Sequence, residues 1–556
     1  MTESVAATDA FTTEVVRNAL RSLADEMAIS VLRTAHSEVI RDTMDYSTAI
    51  FDARGRLIAQ GLTLALHLGA MPDAMRELLR KYDGDIHPGD VFILNDPDEG
   101  GMHLPDIFVF KPVFAGSRLI AFAGCIAHHV DVGGRVPGSN APDSTEIFQE
   151  GLQIPILKLH DRGQPNVTLL AIIERNVRPP SVVLGDLRAQ LAACHFAERG
   201  LLELERRHGA DRLEQYMESV LDHAEEIVRQ HIRAVPDGTY RFEDHIDDDG
   251  LGSDPIAIRV AVEVTGDEVV VDFAGTSGQV ASALNSTASF TKAAVYAALL
   301  CSLRTAEELS NEGLYRPVTV HIPPGSILNG TRPAARGARA LTGFRVIDAV
   351  FGALHQALPD RVPAAGEGGV TMLGISETTS GRQPTVYVEF IAGGWGGWSG
   401  GDGLDGASPL GGNVSNVPVE MIELHHPVRV EEYSLVPNTG GPGRHRGGLS
   451  VMRAMRFLGS HGTVQIRSDR RKFPPYGLDG GEPGAPSLNT LETADGEHEL
   501  PTKFIRPIAH GDVIRHITAG GGGFGPPDQR DPRQIERDIL DGKIDREHAA
   551  RHYGPR

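Results

Sequence analysis

One stretch of the chain combines the side chains and the backbone constraints of a metal-binding loop. It runs from Asn95 to Asp106 and reads NDPDEGGMHLPD. His103 and Asp106 place an imidazole and a carboxylate three residues apart, a spacing at which one tight turn can direct both towards a single cation. Prolines and the Gly100-Gly101 pair restrict the backbone while permitting unusual dihedral angles. The same composition is also typical of an ordinary surface turn, so the stretch alone leaves both interpretations open.

The elements around this stretch read as strands. Residues 89–94 and 107–110 are short, apolar and rich in β-branched or aromatic side chains, which predicts a loop between two buried strands. A hairpin predicted for residues 41–59 carries Asp42 and Asp45 at its mouth. Either carboxylate is a candidate ligand, and a carboxylate that caps a turn is the alternative for at least one of them.

Further histidines lie in apolar segments. A central strand is predicted from Arg118 to Cys125, and it runs on into His128 and His129. Because adjacent residues of a strand point to opposite faces, at most one of these two histidines easily joins a given site. His67 stands alone in an apolar segment, where a hydrogen-bonded core histidine is the more common outcome.

A candidate metal site follows from four residues that come from strand ends or adjoining loops: Asp45, His103, Asp106 and His128. Two imidazoles and two carboxylates suit one divalent ion, zinc, manganese or iron(II), with a position left for water or a carbonyl oxygen. The sequence contains no Walker-type phosphate loop and no strand-GxGxxG-helix unit, and its three cysteines lack the context of a catalytic nucleophile. Metal chemistry is the interpretation that remains.

Composition restricts the class of ligand and the compartment. The 556-residue chain has a formal net charge of −21, which argues against binding to nucleic acid or to an anionic membrane. Its three cysteines have no paired spacing, residues 1–13 show no signal-peptide pattern, and no apolar run approaches membrane-spanning length. We therefore expect a cytoplasmic protein whose ligands are neutral small molecules, cations or other proteins.

The expected fold is a mixed α+β body of several subdomains, because the chain exceeds the length at which a single core keeps growing. We predict largely antiparallel sheets, packed helices and a Gly-rich β C-terminal part. Helical patterns cover residues 12–35, 73–82, 181–232, 287–303 and 341–358. The chain divides into a metal-bearing α+β part (1–235), a β-rich remainder of the same domain (236–527) and a charged helical tail (528–556).

Long segments of the chain closely resemble the hydantoinase B family, from about Thr12 to Gly554. The segments that carry the resemblance are residues 95–106, 45–52, 127–134, 145–151, 272–277, 358–364, 393–397 and 503–504. The family includes B-type subunits of ATP-dependent hydantoinases and lactamases, the C-terminal half of 5-oxoprolinase, and subunits of acetone and acetophenone carboxylases.

The resemblance assigns roles to particular residues. It implies that the metal ligands are Asp45, His103, Asp106 and His128. His103 and Asp106 also count as catalytic residues, together with His129, which would contact the ligands without binding the metal itself. One segment departs from the family pattern: many relatives carry a histidine after the Trp-Gly-Gly motif, whereas residues 407–413 here read ASPLGGN. The substrate can therefore differ from theirs.

The resemblance also implies a partner. A separate A-type ATPase subunit would use ATP and magnesium to phosphorylate the substrate, and this chain would complete the reaction within a hetero-oligomer. For a cyclic amide such as a hydantoin, a lactam or 5-oxoproline, phosphorylation of the amide oxygen would make the ring carbon electrophilic. A water activated by the metal would attack that carbon, and ring opening would follow as phosphate leaves. Two alternatives stay open: a component of an ATP-dependent ketone carboxylase, and a metal-bearing structural subunit.

Overall fold

A computed structural model describes residues 9–61, 64–303, 311–369, 371–377 and 385–554. Of the N-terminal segment 1–13, residues 1–8 lie outside these ranges. The helices of the described chain are α1 (Ala10–Thr34), α2 (Glu38–Arg41), α3 (Ala65–Leu68), α4 (Met71–Lys81), α5 (Val167–Asn176), α6 (Pro180–His208), α7 (Ala210–Ile232), α8 (Ala288–Leu303), α9 (Arg339–His355), α10 (Val419–His425), α11 (Pro532–Leu540) and α12 (Arg546–His552).

Four sheets are present in the described ranges. The first contains β1 (Tyr46–Asp52), β2 (Leu57–Gln60), β3 (Val91–Leu94), β4 (Asp106–Ala115), β5 (Arg118–His128), β6 (Leu157–Asp161) and β7 (Gln164–Pro165), in the order β2-β1-β5-β4-β3-β6-β7. The second contains β8 (Gly238–Ile246), β9 (Ile256–Thr265), β10 (Glu268–Asp272) and β11 (Val318–His321), in the order β11-β10-β9-β8.

The other two sheets lie in the second half of the chain. One contains β12 (Thr371–Glu377), β13 (Thr385–Ile391), β16 (His461–Arg467) and β19 (Lys503–Ala509), in the order β13-β12-β16-β19. The other contains β14 (Val428–Val436), β15 (Ser450–Phe457), β17 (Leu488–Thr493), β18 (Gly496–Leu500) and β20 (Val513–Ile517), in the order β14-β15-β20-β17-β18. The predicted α+β class with largely antiparallel sheets is confirmed. The pair β10 and β11, which is parallel, was not predicted.

The first sheet separates two large hydrophobic clusters. On β4, Phe108 and Phe110 belong to one cluster, whereas Ile107 and Val109 belong to the other. This alternation follows from the two-residue period of a strand. Because both faces of the sheet are covered, all residues of β1 are buried. This explains why its strands read as continuous apolar runs rather than as alternating apolar and polar residues.

The amphipathic helix predicted near the N-terminus forms α1 and packs with α6 and α7 on one face of this sheet. Its buried positions include the apolar residues at three- and four-residue steps: Val16, Leu20, Leu23, Met27 and Val31. The carboxylate of Asp9 accepts a hydrogen bond from the Thr12 backbone nitrogen at 2.8 Å and caps the helix.

The largest hydrophobic cluster crosses the proposed boundary near residue 235. It includes Ala49 from the first segment and Phe524 from the second. Helices α11 and α12 of the tail contribute to a small cluster of their own around Ile544, Ala549 and Tyr553. The division into 1–235, 236–527 and 528–556 stays a prediction. Among the described residues, none of the helices combines the length and the apolar character needed to cross a membrane.

Candidate metal centre

The first sheet brings three of the predicted ligands to one edge. Asp106 begins β4 and His128 ends β5, and the two residues are direct partners in the antiparallel register. Asp45 immediately precedes β1, and its backbone oxygen accepts a hydrogen bond from the His128 backbone nitrogen at 3.0 Å. Because directly paired residues of neighbouring strands share a face, Asp106 and His128 face one pocket, which Asp45 also lines.

His103 reaches this edge through the predicted loop, which joins β3 to β4. The Asn95 side chain fixes the start of the loop, since its Oδ1 accepts a hydrogen bond from the Ile154 backbone nitrogen at 2.6 Å. Gly100 has φ of +94°, and a Cβ at this position would lie 2.6 Å from the Cα of Ala74 on α4. Only glycine fits this close approach, so the sequence positions the loop against α4.

His103, Asp106 and His128 form a compact group of donors. His103 Nε2 lies 3.1 Å from Asp106 Oδ2, and the centroids of the two imidazole rings are 5.0 Å apart. One possible ligand atom from each residue lies within 4.8 Å of the other two. With metal–ligand bonds of about 2 Å, such a triangle fits around a single ion.

Several polar atoms of this pocket have no hydrogen-bond partner among the described residues. They are both ring nitrogens of His103 and of His128, and the Oδ1 atoms of Asp45 and Asp106. Buried polar atoms without a partner are uncommon and costly. Imidazole nitrogen and carboxylate oxygen are ligands of zinc, manganese and iron(II). The donor set therefore fits the predicted divalent ion.

His67 lies beside these residues. Its Nε2 is 3.5 Å from Asp45 Oδ1 and 3.8 Å from Asp106 Oδ1, and its Nδ1 is 3.2 Å from Ser47 Oγ. The contact with Ser47 is that of the expected hydrogen-bonded core histidine, but the two carboxylates make His67 part of the pocket. Its neighbours in sequence are apolar, so no spacing pattern identifies it.

Burial dominates the electrostatics of the pocket. Desolvation raises the pKa of Asp45 to about 8, and the nearby Asp106 carboxylate adds to the shift. Desolvation lowers the pKa of His103 and of His128 well below the usual value, and it lowers the pKa of His67 to about 3. The imidazoles are therefore neutral near pH 7, which is the form that binds a metal.

Two buried arginines also line the pocket, and the sequence analysis missed both. Arg339 begins α9, donates to the Asp106 carboxylate through Nη2, and lies over the Phe290 ring at 4.3 Å from its centroid. Arg467 ends β16, and its Nη1 donates to the Gly337 carbonyl oxygen at 2.5 Å. Both residues come from segments remote from the loop, so no local pattern could have indicated them.

Two other candidates point away from the pocket. His129 lies on the opposite face of the sheet from its neighbour, as the alternation of a strand requires, and its Nε2 is 3.0 Å from Gln190 Oε1 on α6. Its backbone nitrogen donates to the Pro105 carbonyl oxygen at 2.8 Å, so it holds the loop rather than facing the cavity. Its catalytic role stays a prediction. Asp42, the second carboxylate of the hairpin mouth, forms an ion pair with Arg41 at 2.6 Å.

The acidic residues of the segment 145–151 separate in the structure. Glu146 is exposed, whereas Glu150 is buried. The Glu150 carboxylate accepts hydrogen bonds from the backbone nitrogens of Arg336 at 2.9 Å and of Gly337 at 2.6 Å. Desolvation raises the pKa of Glu150 to about 7. Glu150 therefore fixes the backbone that leads into α9, including the residue whose carbonyl oxygen accepts from Arg467.

Apolar side chains close the rest of the pocket, whose cavity volume is about 50 Å³. Phe344 is shared with a neighbouring cavity of about 150 Å³. The segment 407–413, where the sequence departs from the family pattern, lines both cavities with small or apolar residues. The apolar residues of the first cavity are Leu64, Leu66, Phe290, Ala340, Phe344, Phe390 and Val414.

Comparisons with known proteins agree with the resemblance seen in the sequence. The family model described as hydantoinase B/oxoprolinase matches residues 9–527. The B-type subunit of a putative D-/L-hydantoinase from Pseudomonas sp. (strain NS671) is 33% identical to this chain over an alignment 566 residues long. The alignment covers 98% of this chain and 95% of that protein.

Solved structures show the same fold. The ATP-dependent caprolactamase from Pseudomonas jessenii matches with a TM-score of 0.93 and 30% sequence identity, over 98% of this chain and 96% of that chain. A nucleotide-free acetone carboxylase matches with a TM-score of 0.90 and 19% identity, over 97% of this chain and 79% of that chain. At that identity the second likeness concerns the fold alone.

Proposed function

The chain belongs to the hydantoinase B/oxoprolinase family, and from this premise we propose that it is the metal-bearing subunit of an ATP-dependent cyclic amidase. The substrate would be a hydantoin, a lactam or a 5-oxoproline-type ring. An A-type ATPase subunit would phosphorylate the substrate within a hetero-oligomer, as the names of the relatives suggest: one component of a hydantoinase, and an ATP-dependent caprolactamase. The ATP requirement and the free thiols of Cys125 and Cys194 favour the cytoplasm.

The observation that carries the proposal is the group of buried, unpartnered donors. His103, Asp106 and His128 would hold a zinc, manganese or iron(II) ion, and Asp45, which lines the same pocket, would be the fourth ligand. When bound, such an ion supplies a Lewis acid and lowers the pKa of a water to about 7. Asp45 and Asp106 hold negative charge at the centre, and the neutral imidazoles leave their nitrogen lone pairs free for the ion.

The surrounding residues position the reaction and exclude bulk water. Arg339 fixes the Asp106 carboxylate, and His67 lies against both carboxylates. Phe290, Phe344 and the other apolar walls accept the uncharged part of a ring and strengthen electrostatic interactions by excluding solvent.

The proposed reaction consumes one ATP and two waters. The partner transfers the terminal phosphoryl group to the amide oxygen, which makes the ring carbon electrophilic. Water adds to that carbon, the C–N bond breaks with a proton going to nitrogen, and an acyl phosphate remains. A second water then releases phosphate and leaves a carboxylate. In this scheme His103 and Asp106 act at the reacting centre, and His129 supports the loop that carries them.

The decisive experiment is co-purification with the A-type partner, followed by ATP turnover on a panel of cyclic amides and of ketones with bicarbonate. We expect ring opening coupled to ADP formation, and one divalent ion per chain by elemental analysis. The isolated chain should not hydrolyse ATP above the level of a His103→Ala control. Ketone carboxylation without ring opening would replace the amidase with the carboxylase alternative. A metal-bearing complex that forms normally but keeps its full activity in the His103→Ala variant would make this subunit structural.

A further inference from the structure

Arg467 is a buried cation for which the described chain supplies no anionic partner. The side chain is only 1% exposed and lines the pocket of the metal centre. Its Nη1 donates to the Gly337 carbonyl oxygen, its Nε has no hydrogen-bond partner, and it forms no ion pair with a carboxylate of the described residues. Burial lowers the pKa of Arg467 to about 9, so the guanidinium is still charged at pH 7.

The other arginines that are buried to the same extent differ in this respect. Within the described ranges, Arg336, Arg345, Arg446, Arg453 and Arg470 each form an ion pair with an aspartate or a glutamate. A buried charge without a partner costs several kcal/mol. Because the fold satisfies five such arginines and leaves Arg467 to one carbonyl oxygen, a ligand is the natural partner of the sixth.

The charge balance of the pocket indicates what that ligand is. Without a metal, Arg339 donates to the Asp106 carboxylate, whereas Arg467 forms no ion pair with a described carboxylate. A divalent ion held by Asp45 and Asp106 would take up the negative charges of both carboxylates and leave the two guanidiniums uncompensated. Glu150 can contribute at most one negative charge from behind Gly337. The loaded pocket would therefore carry a surplus of one to two positive charges.

The two guanidiniums are held in place before any ligand binds. Arg339 is fixed by the Asp106 carboxylate and by the Phe290 ring, while its Nε has no partner. Arg467 is fixed by Gly337, whose backbone nitrogen donates to Glu150 at 2.6 Å. Planar guanidinium groups bind phosphate and carboxylate oxygens through several parallel N–H bonds.

We propose that Arg467 and Arg339 form an oxyanion subsite beside the metal centre, and that this subsite holds the phosphoryl group of the activated substrate. A phosphoryl group carries about −1.5 to −2 charges near pH 7, which matches the surplus, whereas a carboxylate carries one. The identity of this ligand rests on the proposed function; the need for an anion rests on Arg467 itself. The subsite would retain the phosphoryl oxygens while water reaches the neighbouring carbon.

The test measures anion binding rather than turnover. Inorganic phosphate is titrated by calorimetry into the full chain, with and without bound metal, for wild type, Arg467→Lys and Arg467→Gln. Arg453→Lys is the matched control, because Arg453 is equally buried but pairs with Glu389 away from the pocket. We expect phosphate affinity to fall about tenfold or more in both Arg467 variants, as for a lost hydrogen bond to a charged group, and to stay unchanged in Arg453→Lys.

A second measurement uses the wild type alone, so it does not depend on whether a variant folds. Broadening of the phosphate ³¹P resonance by manganese bound to the protein should be strong and should disappear when zinc replaces manganese. Acetate is the carboxylate arm of the calorimetry, and it should bind at least about tenfold more weakly than phosphate. Equal affinity for acetate would assign the subsite to the carboxylate of the product and overturn the phosphoryl assignment.

The outcomes separate this inference from the proposed function. Phosphate binding that is absent in wild type, or that is the same in Arg467→Lys, overturns the oxyanion subsite even if the complex opens cyclic amides. Arg467-dependent phosphate binding in a complex that fails to open any cyclic amide keeps the subsite and rejects the amidase. If elemental analysis finds no metal, the calorimetry on the metal-free protein decides the subsite by the same comparison of variants.

Discussion

Two buried groups of charged side chains share helix α9 and the end of β16, and they differ in how many of their cations have a carboxylate partner. One is the pocket of the candidate metal centre, named here the metal pocket, with Asp45, His67, His103, Asp106, His128, Arg339 and Arg467 in its lining. The other is named here the paired cluster, and it includes three cations and three carboxylates: Asp244, Arg345, Asp348, Asp469, Arg470 and Lys503. Helix α9 supplies Arg339 to the first and Arg345 to the second. The end of β16 supplies Arg467 to the first, and residues 469–470 just beyond it join the second.

In the paired cluster every cation has a carboxylate partner. Arg345 Nη2 is 2.5 Å from Asp469 Oδ2, Lys503 Nζ is 3.2 Å from Asp469 Oδ1, and Arg470 pairs with Asp348. In the metal pocket Arg467 forms no ion pair with a described carboxylate, and the ring nitrogens of His103 and His128 make no hydrogen bond to a described residue. Burial is the same in both places, so burial alone does not identify a site. Arg345 Nε and Arg470 Nε also lack hydrogen-bond partners, so the difference lies in the carboxylates. It teaches that a buried cation without a carboxylate partner marks the place where an anionic ligand belongs.

The largest effect that tests the contrast between the two groups is expected for His103→Ala, assayed with the partner subunit. Removing one imidazole should weaken metal binding and reduce ring opening by at least about 10³-fold, since activation of water by a metal is worth several kcal/mol. Folding should survive, because Asn95 and Gly100 hold the loop independently. The measurements are turnover, metal content and circular dichroism.

His516→Asn is the matched control for that variant. His516 is also fully buried, and its Nδ1 lies 2.7 Å from Asn489 Oδ1, away from the pocket. We expect normal metal content and turnover per folded molecule. A comparable loss of activity in His516→Asn would mean that any buried histidine matters, and the contrast between the two regions would fail.

The paired cluster should respond in the opposite way. Arg345→Met removes the ion pairs of Arg345 with Asp469 and Asp244, which keep only Lys503 and Arg470 as cationic partners. Breaking a buried ion pair costs roughly 3–5 kcal/mol of the free energy of unfolding. Metal content per folded molecule should not change. Denaturant titration followed by elemental analysis checks both parts. A variant with wild-type stability and less metal would show that the two regions are one functional unit.

The sequence predicted the residues whose relation is local or set by strand alternation. The spacing of His103 and Asp106, the hairpin mouth at Asp45 and the strand end at His128 place four residues at one edge, and α1 follows from its apolar period. Arg339 and Arg467 could not be predicted, because their proximity depends on α9 and β16 docking against the first sheet. His67 gave too little pattern, since a lone histidine in an apolar segment usually makes ordinary core contacts.

A smaller effect is expected when Arg467 on β16 is compared with Arg345 on α9. In the metal-free protein, Arg467→Met removes a buried cation that has no carboxylate partner. The free-energy cost of burying that charge disappears, and this gain offsets the lost hydrogen bond to Gly337. We expect a loss below about 2 kcal/mol in the free energy of unfolding, less than for Arg345→Met. Denaturation of both variants under identical conditions is the check. Equal losses would show that the pocket carboxylates compensate Arg467 as fully as Asp469 compensates Arg345.

The last prediction concerns pH and only the metal pocket. Burial and the Asp106 carboxylate raise the pKa of Asp45 to about 8 in the metal-free protein, so this carboxyl holds a proton below pH 8 that metal binding must release. Apparent metal affinity should therefore rise about tenfold per pH unit between roughly pH 6 and 8, which is about 1.4 kcal/mol per unit, and then level off. The imidazoles should add little to this slope, because burial lowers the pKa of His67 to about 3 and lowers the pKa of His103 and His128 well below the usual value. Competition with a chromophoric chelator across this pH range gives the slope, and Asp45→Asn should bind the metal more weakly with little pH dependence.

The control for this prediction is Arg345→Met, which should keep the wild-type slope because the paired cluster lies outside the metal pocket. An unchanged slope in Asp45→Asn would assign the released proton to another group.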